Sequence, residues 1–316
     1  MMKYGSRHML KQNLVKRVMK HSQLYLFLLL PLIYLLLFEY VPMAGIQLAF
    51  RKFSIRDGIW GSPWIGLGNL VKFIQSYQFT RVVGNTLAIS LYSLTVGFPI
   101  PIAFALILNS FERERFKKTV QTITYMPHFI STVVLVGMIL QILNPRIGLY
   151  GMVHALFNGG NYPSDLLASP RLFPHIYVWS GVWQTFGWSS IIYTAALTAV
   201  SPDLHEAAQI DGAGSLKRVI HIDLPSILPT ATVMLIMRCG HIMSVGFEKA
   251  FLMQNNLNLS ASELISTYVY KVGLASAGTM DYAYSTAIGL FNSVINLILI
   301  VMVNAFARRI NGTGLW

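Results

Sequence analysis

Arg238 and His241 stand three residues apart in a stretch built mainly of leucine, isoleucine, methionine and small residues. That spacing puts both on one helical face, where a guanidinium could fork onto a carboxylate of a polar or acidic sugar. The competing reading is an internal pair, Arg238 with Glu248 or with a carboxylate of another subunit. Trp179 and Trp183 lie four apart; their faces could stack on sugar rings, or could pack as ordinary interfacial tryptophans. Asn292 and Asn296 form a further polar stripe, able to hydrogen-bond across helices or to line a path. Ser285, Gly289 and Ser293 repeat at i, i+4, i+8, which suits close helix packing. His128 follows Pro127 and reads as a histidine satisfied at a helix break. His128, His241 and Glu248 are not spaced as H-E-x-x-H, and no G-x-x-x-x-G-K-[ST] cradles a nucleotide, so neither a catalytic nor a metal set is expected and the chain is not read as an enzyme. The single cysteine, Cys239, excludes an intrachain disulfide.

The elements that must position these residues are membrane helices. Hydrophobic residues make up 54% of the 316 and charged residues only 11%, against about a quarter charged in soluble domains. Windows of the length a helix needs to cross a bilayer fall at 24–42, 83–109, 120–143, 173–199, 227–247 and 283–306, predicting an all-α polytopic protein with six transmembrane helices. The first is read as an uncleaved span, since no small-residue cleavage site follows it. The net charge of +12 is topogenic rather than a nucleic-acid footprint. Lys3, Arg7, Lys11, Lys16, Arg17 and Lys20 precede the first window, "ERERFKK" follows the second, and Arg308 and Arg309 close the sixth. These share a side, taken as cytoplasmic. Arg51, Lys52, Arg56, Lys72 and Arg81 in the opposite loop pull the other way, although long loops weigh less in that rule. The expected organisation is a basic cytoplasmic N-terminus (1–23), a first span (24–42), an extracytoplasmic loop (43–82), a five-helix core (83–306) and a cytoplasmic tail (307–316). "RDGIWGSPWIGLGN" and "NGGNYPSDLLASP" read as ordered outer turns.

Between the fourth and fifth windows the sequence turns charged and glycine-punctuated: "DLHEAAQIDGAGSLKRVIHIDLP". Ser201, Pro202 and Asp203 supply an N-cap, a proline at N1 and an acid in the first turn. Asp211-Gly212 ends that helix. A second amphipathic helix is expected from about Ser215 until Pro225 stops it, giving a helical hairpin over 201–225. A plain connector would suffice to explain it.

The residues Glu206, Ala207, Ala208, Asp211, Gly212 and Ala213, followed by Ile222, Leu224 and Pro225, resemble the EAA motif of ABC-transporter permeases. With "LLLPLIYLLLFEYVPMAGIQLAF", "LGNLVKF", "NTLAIS" and "YMPHFIS", the whole chain is similar to binding-protein-dependent permeases for complex oligosaccharides. The resemblance implies a type I importer permease core behind one extra span, in a bacterial cytoplasmic membrane with both termini cytoplasmic. It implies that the hairpin docks on an ATP-hydrolysing subunit, with Glu206 meeting a basic residue and Gly212 permitting the turn. Val219 and Ile220 depart from the bulky aromatics common in sugar permeases. The implied partners are a second, different permease, two ATPase subunits that hold the ATP and Mg, and a solute-binding protein; this chain would bind no cofactor itself. The implied cargo is an oligosaccharide, of uronate type such as alginate or pectin fragments, or else a neutral oligosaccharide or peptide. An export-type or secondary transporter fits the motif less well.

Overall fold

The structure, a computed structural model, describes residues 20–111, 113–275, 280–312, 314 and 315. The basic residues Lys3, Arg7, Lys11, Lys16 and Arg17 lie outside the described residues, as does Glu112. Among the described residues the architecture is helical, and the isolated bridge between Arg51 and Trp64 is the one pairing of extended backbone.

Among the described residues four continuous helices are long and apolar enough to span a membrane: Ser22–Phe50, Tyr77–Asn109, Ser215–Gly240 and Tyr282–Arg309. The third expected span, 120–143, is a broken one. Glu114–Phe129 and Thr132–Ile142 meet at 96°, because Met126–Phe129 is a 3-10 turn carrying Pro127 and Ser131 starts a new helix by accepting from the Val134 amide. The fourth, Phe173–Thr198, has 26 residues, or about 39 Å of rise. Its Ser180, Gln184, Thr185, Ser189 and Ser190 make it more polar than the other spans.

Several expected boundaries differ. Pro225 does not stop a helix: Ser215–Arg218 runs through a π turn, Val219–Asp223, into Leu224–Gly240. A proline inside a regular helix clashes with the carbonyl four residues back, and the wider π turn just before Pro225 offers the relief. The fifth span therefore begins inside the hairpin and ends at Gly240, not 247; a separate short helix, Phe247–Met253, follows. The last helix extends to Asn311, so the expected tail from 307 starts as helix, closed by Gly312 at φ 66°.

The Ser22–Phe50 helix leaves Leu24 to Met43 facing outward and meets the rest of the chain only near its end, where Ala44–Phe50 packs on the last span. The interior has three apolar clusters. One, around Ala105, Tyr193, Leu197, Ile227 and Ala231, lies toward the hairpin. The other two, around Phe173, Tyr177 and Leu264 and around Phe73, Ile265 and Ile288, lie toward the far end. In the Ser285, Gly289, Ser293 stripe the close approach is at Ser285, which a Cβ on Gly273 would strike, whereas a Cβ on Gly289 would meet nothing within 4 Å. Another close approach is at Gly187, where a Cβ would collide with the Thr124 carbonyl and part the fourth span from the first limb of the third.

Candidate functional site: a hairpin and a cationic cleft

The first helix of the hairpin, Pro202–Ile210, starts as its sequence demands: the Ser201 hydroxyl accepts from the Asp203 amide at 3.3 Å. It ends in a left-handed turn. Gly212 takes φ 75°, the Ala213 amide donates to the Ala208 carbonyl at 2.8 Å and the Gly212 amide to Gln209 at 3.0 Å. This double closure satisfies the last carbonyls and favours glycine at its left-handed position. Glu206, Ala207, Asp211 and Gly212 are exposed, and Ala208 and Ala213 are half-buried. Among the described residues neither Glu206 nor Asp211 has an ion-pair partner. Leu204, Ile210, Leu216 and Ile220 are exposed too, Ile210 at 86%. Leu224 and Val219 instead face inward onto the cluster around Ile227, while Pro225 is exposed at the start of the span proper.

Toward the other end of the fifth span lies a cleft of about 710 Å³. Arg238 and His241 line it together, as their spacing predicts, with the hydroxyls of Ser90, Ser93, Thr185, Ser189 and Ser244. No carboxylate is among its lining residues. Arg238 does not reach Glu248; its Nη1 donates to the Gly97 carbonyl at 3.0 Å and its guanidinium lies 6.0 Å from the Phe98 ring centre. Ser90 Oγ is buried and has no hydrogen-bond partner. A buried hydroxyl left open beside a cation is a group that a polar ligand or water can satisfy.

The other expected path residues are placed elsewhere. Trp179 and Trp183 are half-exposed on a face of the fourth span that does not line the cleft. Trp179 Nε1 donates to the Tyr92 hydroxyl at 2.9 Å, which in turn meets His175 Nδ1 at 2.9 Å. Asn296 is occupied: its Oδ1 accepts from the Met243 amide at 3.0 Å and its Nδ2 donates to Ser244 Oγ at 2.9 Å. It thereby fixes the chain just after the fifth span. Asn292 lines a neighbouring hollow of about 500 Å³ with Phe247, Ser266 and Tyr270, its Oδ1 unpartnered. His128 stacks on Trp188, rings 4.4 Å apart and nearly parallel.

Sequence reasoning missed Lys249. It is 8% exposed, on the short helix between the fifth and sixth spans, and its Nζ donates to the Tyr177 carbonyl at 2.7 Å. Burial alone pushes its ammonium down to about 8. A single lysine in "GFEKAF" gives no spacing that marks it as interior. The hydroxyl faces did carry a signal: Thr185 and Ser189 are four apart on the fourth span, Ser90 and Ser93 three apart on the second.

Residues 97–312 match the model of the family described as "Binding-protein-dependent transport system inner membrane component". The chain is 38% identical over 306 residues to the polygalacturonan/rhamnogalacturonan transport system permease protein YteP of Bacillus subtilis, covering 97% of this chain and 94% of that one. It also superposes on a chain from the crystal structure of a bacterial ABC transporter involved in the import of the acidic polysaccharide alginate, with TM-score 0.84, 38% identity, and coverage of 95% of this chain and 99% of that one. The same figures hold for a bacterial alginate ABC transporter solved in complex with an alginate pentasaccharide-bound periplasmic protein.

Proposed function

The chain belongs to the family of binding-protein-dependent transport system inner membrane components, and on that premise we propose that it forms half of the translocation pathway of an ATP-driven importer of uronate-containing oligosaccharides. The family makes it a permease subunit of an ABC importer rather than an enzyme, working in the inner membrane with a solute-binding protein. The assembly and cargo are our reading. The hairpin end is cytoplasmic, with both termini on that side. Two ATPase subunits hold ATP and Mg²⁺, and one of them receives this hairpin while a second, different permease completes the path.

The observation that carries the coupling role is the exposure of Leu204, Ile210, Leu216 and Ile220 beside the unpaired Glu206 and Asp211. Apolar anchors ringed by charge are what an interface presents before its partner arrives. Glu206, Ala207, Ala208, Asp211, Gly212 and Ala213 supply the docking face and its turn, while Leu224 and Pro225 join it to the fifth span. For the cargo, the support is the cleft: Arg238 and His241 without a facing carboxylate suit an anionic sugar, and the relatives named for acidic polysaccharides agree. Asn292 borders the path beyond the cleft and Asn296 shapes it. A neutral oligosaccharide is the second reading, favoured by the Gly97 carbonyl already engaging Arg238.

The test is ATP hydrolysis by the reconstituted transporter with its binding protein, comparing oligogalacturonate and alginate fragments with neutral oligosaccharides. Stimulation by the acidic sugars alone supports the uronate reading, and stimulation by neutral ones alone overturns it. Glu206→Ala and Gly212→Pro, the second unable to adopt φ 75°, should abolish stimulation in complexes that still assemble. Unchanged stimulation in both would reduce the hairpin to a connector.

A further inference from the structure

The hairpin helix Pro202–Ile210 has no buried residue, and only His205 and Ala208 are half-buried. Ala208 offers a methyl group. His205 offers a directed polar contact: its Nε2 lies 3.2 Å from Asp223 Oδ1, with the His205 side chain 24% exposed and that of Asp223 4%. Asp223 is the last residue of the π turn Val219–Asp223, directly ahead of the fifth span. The same Asp223 oxygen accepts from Asn109 Nδ2 at 3.4 Å, and Asn109 is the last residue of the Pro99–Asn109 helix, the end of the second span nearest the hairpin. One carboxylate oxygen therefore joins three elements, one of them 114 residues before Asp223 in the chain.

We propose that His205, Asp223 and Asn109 form a polar latch that passes displacement of the hairpin helix to the hairpin-side ends of the second and fifth spans. A push on an exposed helix moves the core only through the points where it is fixed, and the glycine turn at 212 is a pivot rather than a strut. Hydrogen bonds to a buried carboxylate are directional and strong for their size. The latch is also anchored: Leu224 and Val219 on either side of it pack with Ala105, Leu106 and Ile227, so a shift of Asp223 tilts both spans together. The π turn gives Asp223 its inward aim, in keeping with the frequency of such bulges at working sites. His205 is thus a positioning residue, acting through Asp223 rather than on the cargo.

This inference rests on the reading of the hairpin as the ATPase dock, and the experiment separates the two. The full transporter, assembled with its ATPase, partner permease and binding protein, is reconstituted in vesicles, and sugar uptake and ATP hydrolysis are measured on the same preparation with an oligogalacturonate as probe. His205→Ala and Asp223→Ala are expected to keep the ATPase bound at wild-type stoichiometry while the ratio of sugar moved to ATP consumed falls about tenfold. The double variant should be no worse than the poorer single, as for residues acting as one unit. His205→Gln, which keeps a donor near the Nε2 position, should restore the ratio to within about twofold of wild type. Asn109→Ala, which leaves the His205 to Asp223 contact in place, should lower it about threefold, and it supplies the readout if an alanine variant at the centre does not assemble. An unchanged ratio in His205→Ala, or in Asn109→Ala where the others do not assemble, overturns the latch. So do losses that multiply in the double variant, or a His205→Gln variant as impaired as His205→Ala. Failure of the wild-type chain to bind any ATPase would overturn the docking reading instead.

Discussion

The hairpin at 202–223 and the segment at 247–271 are both short helices joining long ones, yet they are held in opposite ways. The second is knitted into the chain. Glu263, 4% exposed, pairs with Arg81 and, at 3.2 Å, with Lys271. Asn258 Nδ2 donates to the Leu167 and Met253 carbonyls at 2.8 and 3.0 Å, and its Oδ1 accepts from Ser262 and Asn255. Asn85 donates to the Ser260 and Glu263 carbonyls, and Thr86 accepts the Ile265 amide. The hairpin has exposed apolar side chains, an internal contact from His205 to Asp223, and a hydrogen bond to that same carboxylate from Asn109 at the end of the second span. A region that satisfies its own groups is scaffold; one that leaves apolar anchors open suits the docking role proposed for the hairpin. The contrast separates a segment held by its own polar contacts from one that leaves its apolar side chains exposed.

That separation can be broken, beginning with the heaviest blow. Glu263→Ala leaves Arg81 and Lys271 facing a vacated site, and is expected to cost about 3 kcal/mol, read as thermal unfolding of the detergent-purified protein. A loss no larger than at the hairpin would erase the distinction. Asn258→Ala opens buried donors and acceptors at once and should cost about 2 kcal/mol on the same assay. At the hairpin, Ile210→Ser should leave stability within about 0.5 kcal/mol, yet weaken capture of the ATPase roughly tenfold, or about 1.4 kcal/mol; surface-immobilised binding would show it. If Ile210→Ser unfolded the chain while leaving capture intact, the two regions would have their roles exchanged.

A pH-dependent effect sharpens the picture of the knitted segment. The Lys249 ammonium is pushed down to about 8 by burial, below the ordinary lysine value of about 10.4. Its penalty on the folded state is complete below pH 8. As pH rises from about 8 to about 10, the unfolded chain keeps a proton that the folded one has released, so stability increases. Lys249→Met should flatten that rise relative to wild type in unfolding measured at pH 7.5, 8.5 and 9.5. A parallel rise in both would show that Lys249 contributes nothing to it.

The hairpin was legible in the sequence because its signals are local: Ser201 and Pro202 at a start, Gly212 at a left-handed end, and charges where leucine should be. Its continuation was misread, since Pro225 looks like a stop and only the π turn before it lets the helix continue. Arg238 and His241 came together as their spacing required, whereas Trp179 and Trp183, an equally good pair by spacing, face away from the cleft. Periodicity fixes which residues share a face, but not which face a neighbouring helix covers. Lys249 and Glu263 were invisible for the same reason, being buried by elements far off in the chain.

Composition, helix period and capping residues act over a few turns of chain, and they suffice to specify a bundle of membrane helices with an exposed helical hairpin. The 96° break in the third span, the rest of Arg238 on the Gly97 carbonyl and the meeting of His205, Asp223 and Asn109 at one oxygen atom emerge only when the helices are packed together. Those outcomes depend on how helices distant in sequence pack and on where each buried polar group finds its partner, and no local pattern of residues encodes that choice.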